Sequence, residues 1–186
     1  MFRIQRAALA LAAVVALAGC NENPFEPDLA PEGEASFSYS GDLTGEFAAV
    51  GQLNRRNPNA GTWAIGDIQG QGDSRILGVF AQQRSAAVIN SLVLEWRGAK
   101  VGSITCDDTT VNCQFLVSVI IGLQNTTGVA EGAYEGSVGT LTVTTLTDDR
   151  AAGTFSVTLA DAQSSAAEPP TIQVSGTFDV SLELES

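Results

Sequence analysis

Carboxylates are the side chains of this sequence whose chemistry could support catalysis. The chain contains no histidine, so neither a Ser-His-Asp triad nor a Cys-His pair can be assembled. Two carboxylates about 5 to 9 Å apart are enough to hydrolyse a glycosidic bond, and a β-sandwich can hold them at that separation. The candidates are Glu46, Glu95, Glu131 and Glu135. Because no spacing selects a pair among them, a glycan hydrolase is the alternative to a non-catalytic role.

Metal chemistry has weaker support in the sequence. Two downstream cysteines without a histidine cannot complete a usual zinc set. Asp67 and Asp73 lie in a glycine-rich segment, but it lacks the alternate acids closed by Glu that a calcium-binding EF-hand requires. A turn with solubilising acids explains the segment better, so no metal or other cofactor is predicted.

Two segments could contact a partner. Residues 54–59 contain Arg55 and Arg56, the only local basic cluster outside the N-terminal region. Residues 125–137 contain Tyr134 among Gly, Thr and Glu, and that length is typical of a contact loop. A protein or a glycan is the predicted class of partner, and a solvated turn is the alternative for the basic segment.

The N-terminus has the three parts of a secretory signal. Arg3 and Arg6 provide positive charge, residues 7–16 are apolar, and the small residues Ala18 and Gly19 precede Cys20. The apolar run is shorter than the roughly 20 residues that a helix needs to cross a bilayer. Residues 1–19 are therefore predicted to be a signal peptide.

Leu17-Ala18-Gly19-Cys20 resembles the bacterial lipobox. The resemblance implies that Cys20 becomes the first mature residue and carries a lipid. It also implies a location in the bacterial cell envelope, and Asn21 after the cysteine favours the outer membrane over the inner one. Several acyl chains on one residue satisfy the two-signal requirement for stable membrane anchoring.

Residues 20–34 are predicted to be the lipidated cysteine followed by a disordered tether. The segment is rich in proline and acids and poor in apolar residues, which prevents it from forming a core. Without the signal peptide the chain has 7 basic and 21 acidic residues, a net charge of −14. Nucleic acid is therefore an unsuitable partner, and membrane attachment is expected to depend on the lipid.

Cys106 and Cys113 are predicted to form a disulfide. Export places them in an oxidising compartment, and lipidation of Cys20 leaves them as the only pair. In the chain-entropy model, closing this short loop stabilises the fold by about 2.5 kcal/mol.

Residues 35–186 are predicted to form a single all-β domain, an antiparallel β-sandwich or β-barrel of about eight or nine strands. Apolar and polar residues alternate through residues 171–184, 154–159 and 140–144, which is typical of strands with one exposed face. Asp148-Asp149-Arg150 predicts a hairpin turn, and residues 115–121, apolar on both faces, predict a central strand. The only helical turn is expected within residues 81–88.

The C-terminal strands resemble those of small secreted bacterial lipoproteins without an assigned activity. The similar segments are Gly139-Thr140-Leu141-Thr142-Val143-Thr144, Gly153-Thr154-Phe155-Ser156-Val157 and Val174-Ser175-Gly176-Thr177-Phe178-Asp179-Val180. The resemblance covers about half of the domain and implies an all-β fold with no catalytic residues to transfer. The sequence thus predicts a lipid-anchored envelope protein that is not an enzyme and has a binding or structural role.

Overall fold

The computed structural model describes residues 28–184, apart from positions 71 and 111. The predicted signal peptide, Cys20 and the first part of the predicted tether lie outside these residues. The all-β prediction is confirmed, with ten strands and a single 3-10 turn at Gly72–Ser74 in the described part. The strands are β1 (Gly33–Gly41), β2 (Gly45–Gly51), β3 (Trp63–Gln69), β4 (Ile76–Arg84), β5 (Val88–Arg97), β6 (Gly102–Cys106), β7 (Phe115–Gln124), β8 (Gly132–Leu146), β9 (Arg150–Asp161) and β10 (Thr171–Leu184).

Seven strands close into a barrel in the order β3-β4-β5-β7-β8-β9-β10, and β10 returns to β3. The other three strands extend the barrel at two places. β1 pairs with β10 and carries β2 on its far side, while β6 pairs with β8. The contact between β10 and β3 is parallel, and the other strand pairs are antiparallel.

Two long strands change partners along their length. β10 pairs with β1 over residues 172–179 and then with β3 over residues 182–184, while β9 stays on its other edge. β8 pairs with β7 over residues 132–136 and then with β6 over residues 139–143. The bend in β8 includes a register shift between Glu135 and Val138. Gly139 follows it with a φ of 147°, where a side chain would meet the Ser156 carbonyl oxygen.

These partner changes divide the barrel into two layers, as in sandwiches whose corner strands belong to both sheets. We call β2-β1-β10-β9-β8-β6 the front sheet, and β3, β4, β5 and β7 the back sheet. Alternate residues of each strand point between the layers and are almost fully buried, as in Leu92, Leu94 and Trp96 of β5. β7 lies between β5 and β8, so the predicted central strand is confirmed.

Glycine opposite phenylalanine shapes the core of the front sheet. Gly176 of β10 lies directly between Phe37 of β1 and Phe155 of β9. The rings of Phe37 and Phe155 have centroids 6.3 Å apart, and Phe37 stacks on Phe47 at 4.6 Å. The absence of a side chain at position 176 leaves room for both rings.

Two local predictions were wrong. Residues 81–84 belong to β4 and form no helical turn, because Ala81 packs in the core and the Gln82 amide donates to the Gly61 carbonyl oxygen at 3.0 Å. The predicted contact loop over residues 125–137 is shorter, because β8 already begins at Gly132. The predicted turn at residues 148–150 is confirmed at the junction of β8 and β9.

The predicted boundary between tether and domain at residue 35 lies too late. The Ala30 amide donates to the Leu53 carbonyl oxygen at 2.8 Å, Leu29 forms an isolated antiparallel bridge with Asn54, and Ala30 is fully buried. We call residues 28–30 the N-terminal strap. Only residues 21–27 therefore separate Cys20 from the described domain, and β1 begins at Gly33.

Gly176→Ala should destabilise the domain by about 1 to 3 kcal/mol, the usual range for overpacking a core. A Cβ at this position would meet the Ser36 carbonyl oxygen and lie 2.5 Å from Phe37 Cβ, so backbone would have to move. Ser38→Ala, on the exposed face of the same strand pair, is the matched control and should change the unfolding free energy little. Chemical denaturation measures both variants, and equal stabilities would contradict the packing argument.

Candidate functional site

The outer face of the front sheet carries two rows of hydroxyl side chains. Strand register aligns Ser38, Ser175, Ser156, Thr140 and Thr105 in one row, and Ser36, Thr177, Thr154, Thr142 and Ser103 in the other. We call these ten residues the hydroxyl face. Thr140 and Thr142 are half-buried and the other eight are exposed. Since outward positions recur every second residue, the five strands need only Ser or Thr at two successive outward positions to build the array.

Hydrogen bonds between neighbouring strands order the hydroxyl face. The Oγ atoms of Ser156 and Ser175 are 2.8 Å apart, and those of Ser36 and Thr177 are 3.2 Å apart. The same kind of contact joins Thr105 to Thr140 at 3.0 Å and Ser103 to Thr142 at 2.8 Å. A hydroxyl has one donor hydrogen and two acceptor lone pairs, so a paired hydroxyl keeps hydrogen-bonding capacity for a ligand.

The hydroxyl face is broad and uncharged. With strands about 4.8 Å apart and two residues between rows, each row spans about 19 Å and the rows lie about 7 Å apart. Charged groups lie at the rim. Glu46 is opposite Ser38 on β2, and Arg150 forms a two-pronged ion pair with Asp179 at 2.6 and 2.5 Å. A broad hydrogen-bonding surface of this kind could contact a repeating polar polymer over several units.

A second cluster, of tyrosines and acids, closes one end of the barrel. Tyr134 is 3% exposed, and its phenol donates to Asp42 Oδ2 at 2.7 Å. Asp42 lies in the turn between β1 and β2, and its backbone amide donates to the Thr171 carbonyl oxygen at 3.1 Å. The cluster therefore ties the start of β8 to the β1–β2 turn.

Burial and neighbouring acids keep both phenols protonated. Burial, then the hydrogen bond to Asp42, raises the pKa of Tyr134 well above its ordinary value, and Asp161 adds to the effect. Burial and the charge of Glu131 raise the pKa of Tyr39 as well. Neutral phenols act here as hydrogen-bond donors, and the Tyr134 donor is already used within the protein.

Arg55 is part of the fold. Its guanidinium donates to Asp28 Oδ1 at 2.7 Å and to Glu183 Oε1, and its amide donates to the Asp28 carbonyl oxygen at 2.8 Å. Its side chain is 25% exposed. Arg55 thus fastens the N-terminal strap to β10, and two of its donor groups are occupied by these acids. Arg56 is exposed, so of the two predicted contact residues in this segment it is the more accessible one.

Tyr134 and the candidate carboxylates are dispersed. Tyr134 lies in a strand and faces the core. Glu46 lies on the front sheet at β2, and Glu131 precedes β8 at the barrel end. Glu95 and Glu135 lie on β5 and β8, and β7 runs between these strands. Glu46 and Glu131 are therefore apart from the other two, whereas Glu95 and Glu135 lie two strands apart on the same outward face, opposite Leu116 and Ser118 of β7.

The predicted disulfide is confirmed. Cys106 ends β6 and bonds to Cys113 just before β7, with Cα atoms 5.9 Å apart. In the loop between them, the Asp107 carboxylate accepts hydrogen bonds from Thr109 and Thr110, which lower the pKa of Asp107. The disulfide joins the end of the edge strand β6 to the residues just before β7, which is the last strand of the back sheet.

The sequence prediction missed the hydroxyl face as a unit. The alternation of Thr and Ser with apolar residues in β8, β9 and β10 predicts only that each strand has an exposed face. The available signal was their uniformity, because the outward positions of three successive strands carry hydroxyls at residues 140–144, 154–158 and 175–177. Register between β10 and β1 and between β8 and β6 then adds the outer strands.

No family model, curated protein or solved structure matches this chain. Within residues 28–184, apart from the two omitted positions, no three or more Cys, Asp or Glu side chains are grouped to hold a metal ion. The same part of the chain contains no helix long and apolar enough to cross a membrane.

The two tyrosines should ionise in the folded protein only above the ordinary tyrosine pKa near 10. Since the raised pKa values belong to the folded state, their contribution to stability is complete below pH 10. It is lost as the pH rises through the raised values. The ultraviolet absorbance of phenolate during an alkaline titration measures the pH at which each tyrosine ionises, and the urea-unfolded chain is the reference. Tyr134→Phe should remove the ionisation that occurs at the higher pH, and Tyr39→Phe should retain it. The assignment is wrong if Tyr134 of the folded protein ionises at the same pH as the tyrosines of the unfolded chain.

Proposed function

We propose that this chain is a lipid-anchored protein of the bacterial cell envelope whose β-domain binds an uncharged glycan through the hydroxyl face. Cys20 would be the first mature residue and carry the lipid, and Asn21 favours the outer membrane. The role is one of binding without catalysis. The observation that supports it is the ordered array of ten hydroxyls on five strands.

The chemistry of the hydroxyl face favours a neutral, hydroxyl-bearing polymer. An anionic or cationic partner would find no opposite charge among the ten residues, and the exposed acids Glu34 and Glu46 at the rim would repel an anion. An apolar partner would find little apolar surface to bury. Sugar hydroxyls both donate and accept hydrogen bonds, as the Ser and Thr side chains do, so the two surfaces match in kind.

Removing hydroxyls without changing shape tests glycan binding. Thr140→Val, Thr142→Val and Thr154→Val together should weaken binding by about tenfold or more, since each lost hydrogen bond contributes about 0.5 to 1.5 kcal/mol. The matched control replaces three exposed threonines outside the hydroxyl face, Thr44, Thr126 and Thr171, by valine. Thermal unfolding of both variants checks that the fold is kept.

Co-sedimentation of unlipidated mature chain with three insoluble uncharged polymers, cellulose, chitin and β-1,3-glucan, provides the measurement. The wild type and the control should sediment with at least one polymer, and the face variant should remain in solution. The glycan proposal is wrong if the wild type sediments with none of them, or if the face variant binds as the control does. The anchor is tested separately, because Cys20→Ala should move the protein from the membrane fraction to the soluble fraction.

A further inference from the structure

The back sheet carries an apolar strip on its outer surface. Phe80 of β4 lies opposite Val93 of β5, and Leu116 and Ile120 of β7 flank Val93 diagonally. We call these four residues the apolar strip. Each is half-buried although it points away from the core. The equivalent outward positions of the front sheet carry hydroxyls, so the two outer surfaces of the barrel differ in chemistry.

The chain enters the domain beside the apolar strip. Ala30 of the N-terminal strap packs with Leu53, Trp63 and Ile65, and Phe80 packs against this group. Ile65 lies directly opposite Phe80 in the β3–β4 ladder. Apolar packing is therefore continuous from the strap to the strip through these buried residues, and the neighbouring Leu29 is 45% exposed.

The length of chain before the strap limits where the domain can go. Residues 21–27 separate Cys20 from Asp28, and seven residues span at most about 25 Å when fully extended. Because Arg55 donates to both Asp28 and Glu183, this length starts from a fixed point where the end of β10 pairs with β3 of the back sheet. A lipid on Cys20 would keep that side of the barrel close to the bilayer.

Basic residues are concentrated on the same side of the barrel as the apolar strip. The segment 75–100, which contains β4 and β5, has four basic residues, Arg75, Arg84, Arg97 and Lys100, and one acid, Glu95, which lies opposite Leu116. Two further acids pair with positions next to the strip, Asp67 with Gly78 and Glu135 with Ser118, so the basic residues exceed the acids by one on this side. Strand β7 has no charged residue. The chain after residue 19 has a net charge of −14, so this region is a local exception that an anionic surface would attract.

We propose that the apolar strip docks on the surface of a phospholipid bilayer containing anionic headgroups. The basic residues of the β4–β5 hairpin then lie at the headgroup level. In the seven-strand ring, β4 and β5 are each three strands away from β9, so they lie across the barrel from the centre of the hydroxyl face. The docked domain presents the hydroxyl face away from the membrane. The proposal rests on the lipid anchor proposed above.

Site-specific fluorescent labels test the orientation in the lipidated full mature protein. The native cysteines are lipidated at position 20 or joined in the disulfide, so a single added cysteine can be labelled selectively. Val93→Cys reports on the apolar strip, and Ser156→Cys is the matched control on the hydroxyl face. Both proteins are reconstituted in vesicles of phosphatidylethanolamine and phosphatidylglycerol, with and without lipid-attached quencher.

Lipid quencher should reduce the fluorescence of the Val93 label several-fold more than that of the Ser156 label. A water-soluble quencher should show the opposite order. Equal quenching at the two positions in vesicle-bound protein would overturn docking while leaving the anchor intact. Protein absent from the vesicles would instead show that the anchor has failed, so the two failures are distinguishable.

A second variant guards against a local effect of the label. Val93→Thr and Ile120→Thr together keep the β-branched shape and reduce the apolar area, and the label is then placed at Leu116→Cys. Lipid quenching at position 116 should fall several-fold relative to the same label without the threonines. No change would overturn the role of the strip. The label at position 93 is also measured in Cys20→Ser protein without lipid. If its protection from water-soluble quencher increases with protein concentration, a second copy of the chain covers the apolar strip, and the proposal is overturned.

Discussion

The bends in β8 and β10 control the rest of the architecture. Each strand keeps β9 on one edge and exchanges its partner on the other, so its backbone groups stay paired through the bend. Ending a sheet at either place would leave amides and carbonyls without partners, at about 1 to 3 kcal/mol for each buried group. Closure leaves only β2 and β6 as edge strands among the described residues, and they have seven and five residues. Short edges limit pairing with other chains, and the disulfide further restrains β6.

In the two-layer barrel, the inward residues of each strand must fill the core, whereas its outward residues are not restricted by core packing. Inward positions of both sheets meet one requirement, because Leu94, Val117 and Val157 all fill the same core. Outward positions have no such common requirement, and they diverge into hydroxyls on the front sheet and half-buried apolar residues on the back sheet. The N-terminal strap adds a third constraint by joining the chain entry to the back sheet. Together these features give the domain a chemically distinct front and back.

Local alternation made much of the fold predictable. Strands β9 and β10 and the turn between β8 and β9 follow from residues close in sequence, and the disulfide follows from the cysteine count. The N-terminal strap does not follow from local sequence, because the acidic, proline-rich segment 20–34 that contains it predicts a tether. What holds it is Arg55, 27 residues from Asp28 and 128 residues from Glu183. The supposed helical turn failed for a similar reason, since a contact from Gln82 to the distant Gly61 carbonyl keeps that segment extended.

The candidate site was less predictable than the fold, because a row of hydroxyls depends on the register of five strands. Ser36 and Thr177 are adjacent in space but 141 residues apart in sequence. Each outward serine or threonine taken alone is explained by strand propensity and solubility. Only the pairings between β1 and β10 and between β6 and β8 show that these separate residues form one surface.

Folding alone does not require the hydroxyl face to be neutral. Cross-strand pairs of opposite charge stabilise a sheet about as well as paired hydroxyls, by roughly 0.2 to 1 kcal/mol for each pair. They would also increase solubility, and the Arg150–Asp179 pair at the rim shows that this sheet accommodates them. Yet 21 acidic and 9 basic residues are distributed through the chain without one of them entering the ten positions. The absence of charge from these ten outward positions, although the same strands carry Glu34, Arg150 and Asp179 beside them, is therefore the property that stability leaves unexplained and that recognition of an uncharged polymer would explain.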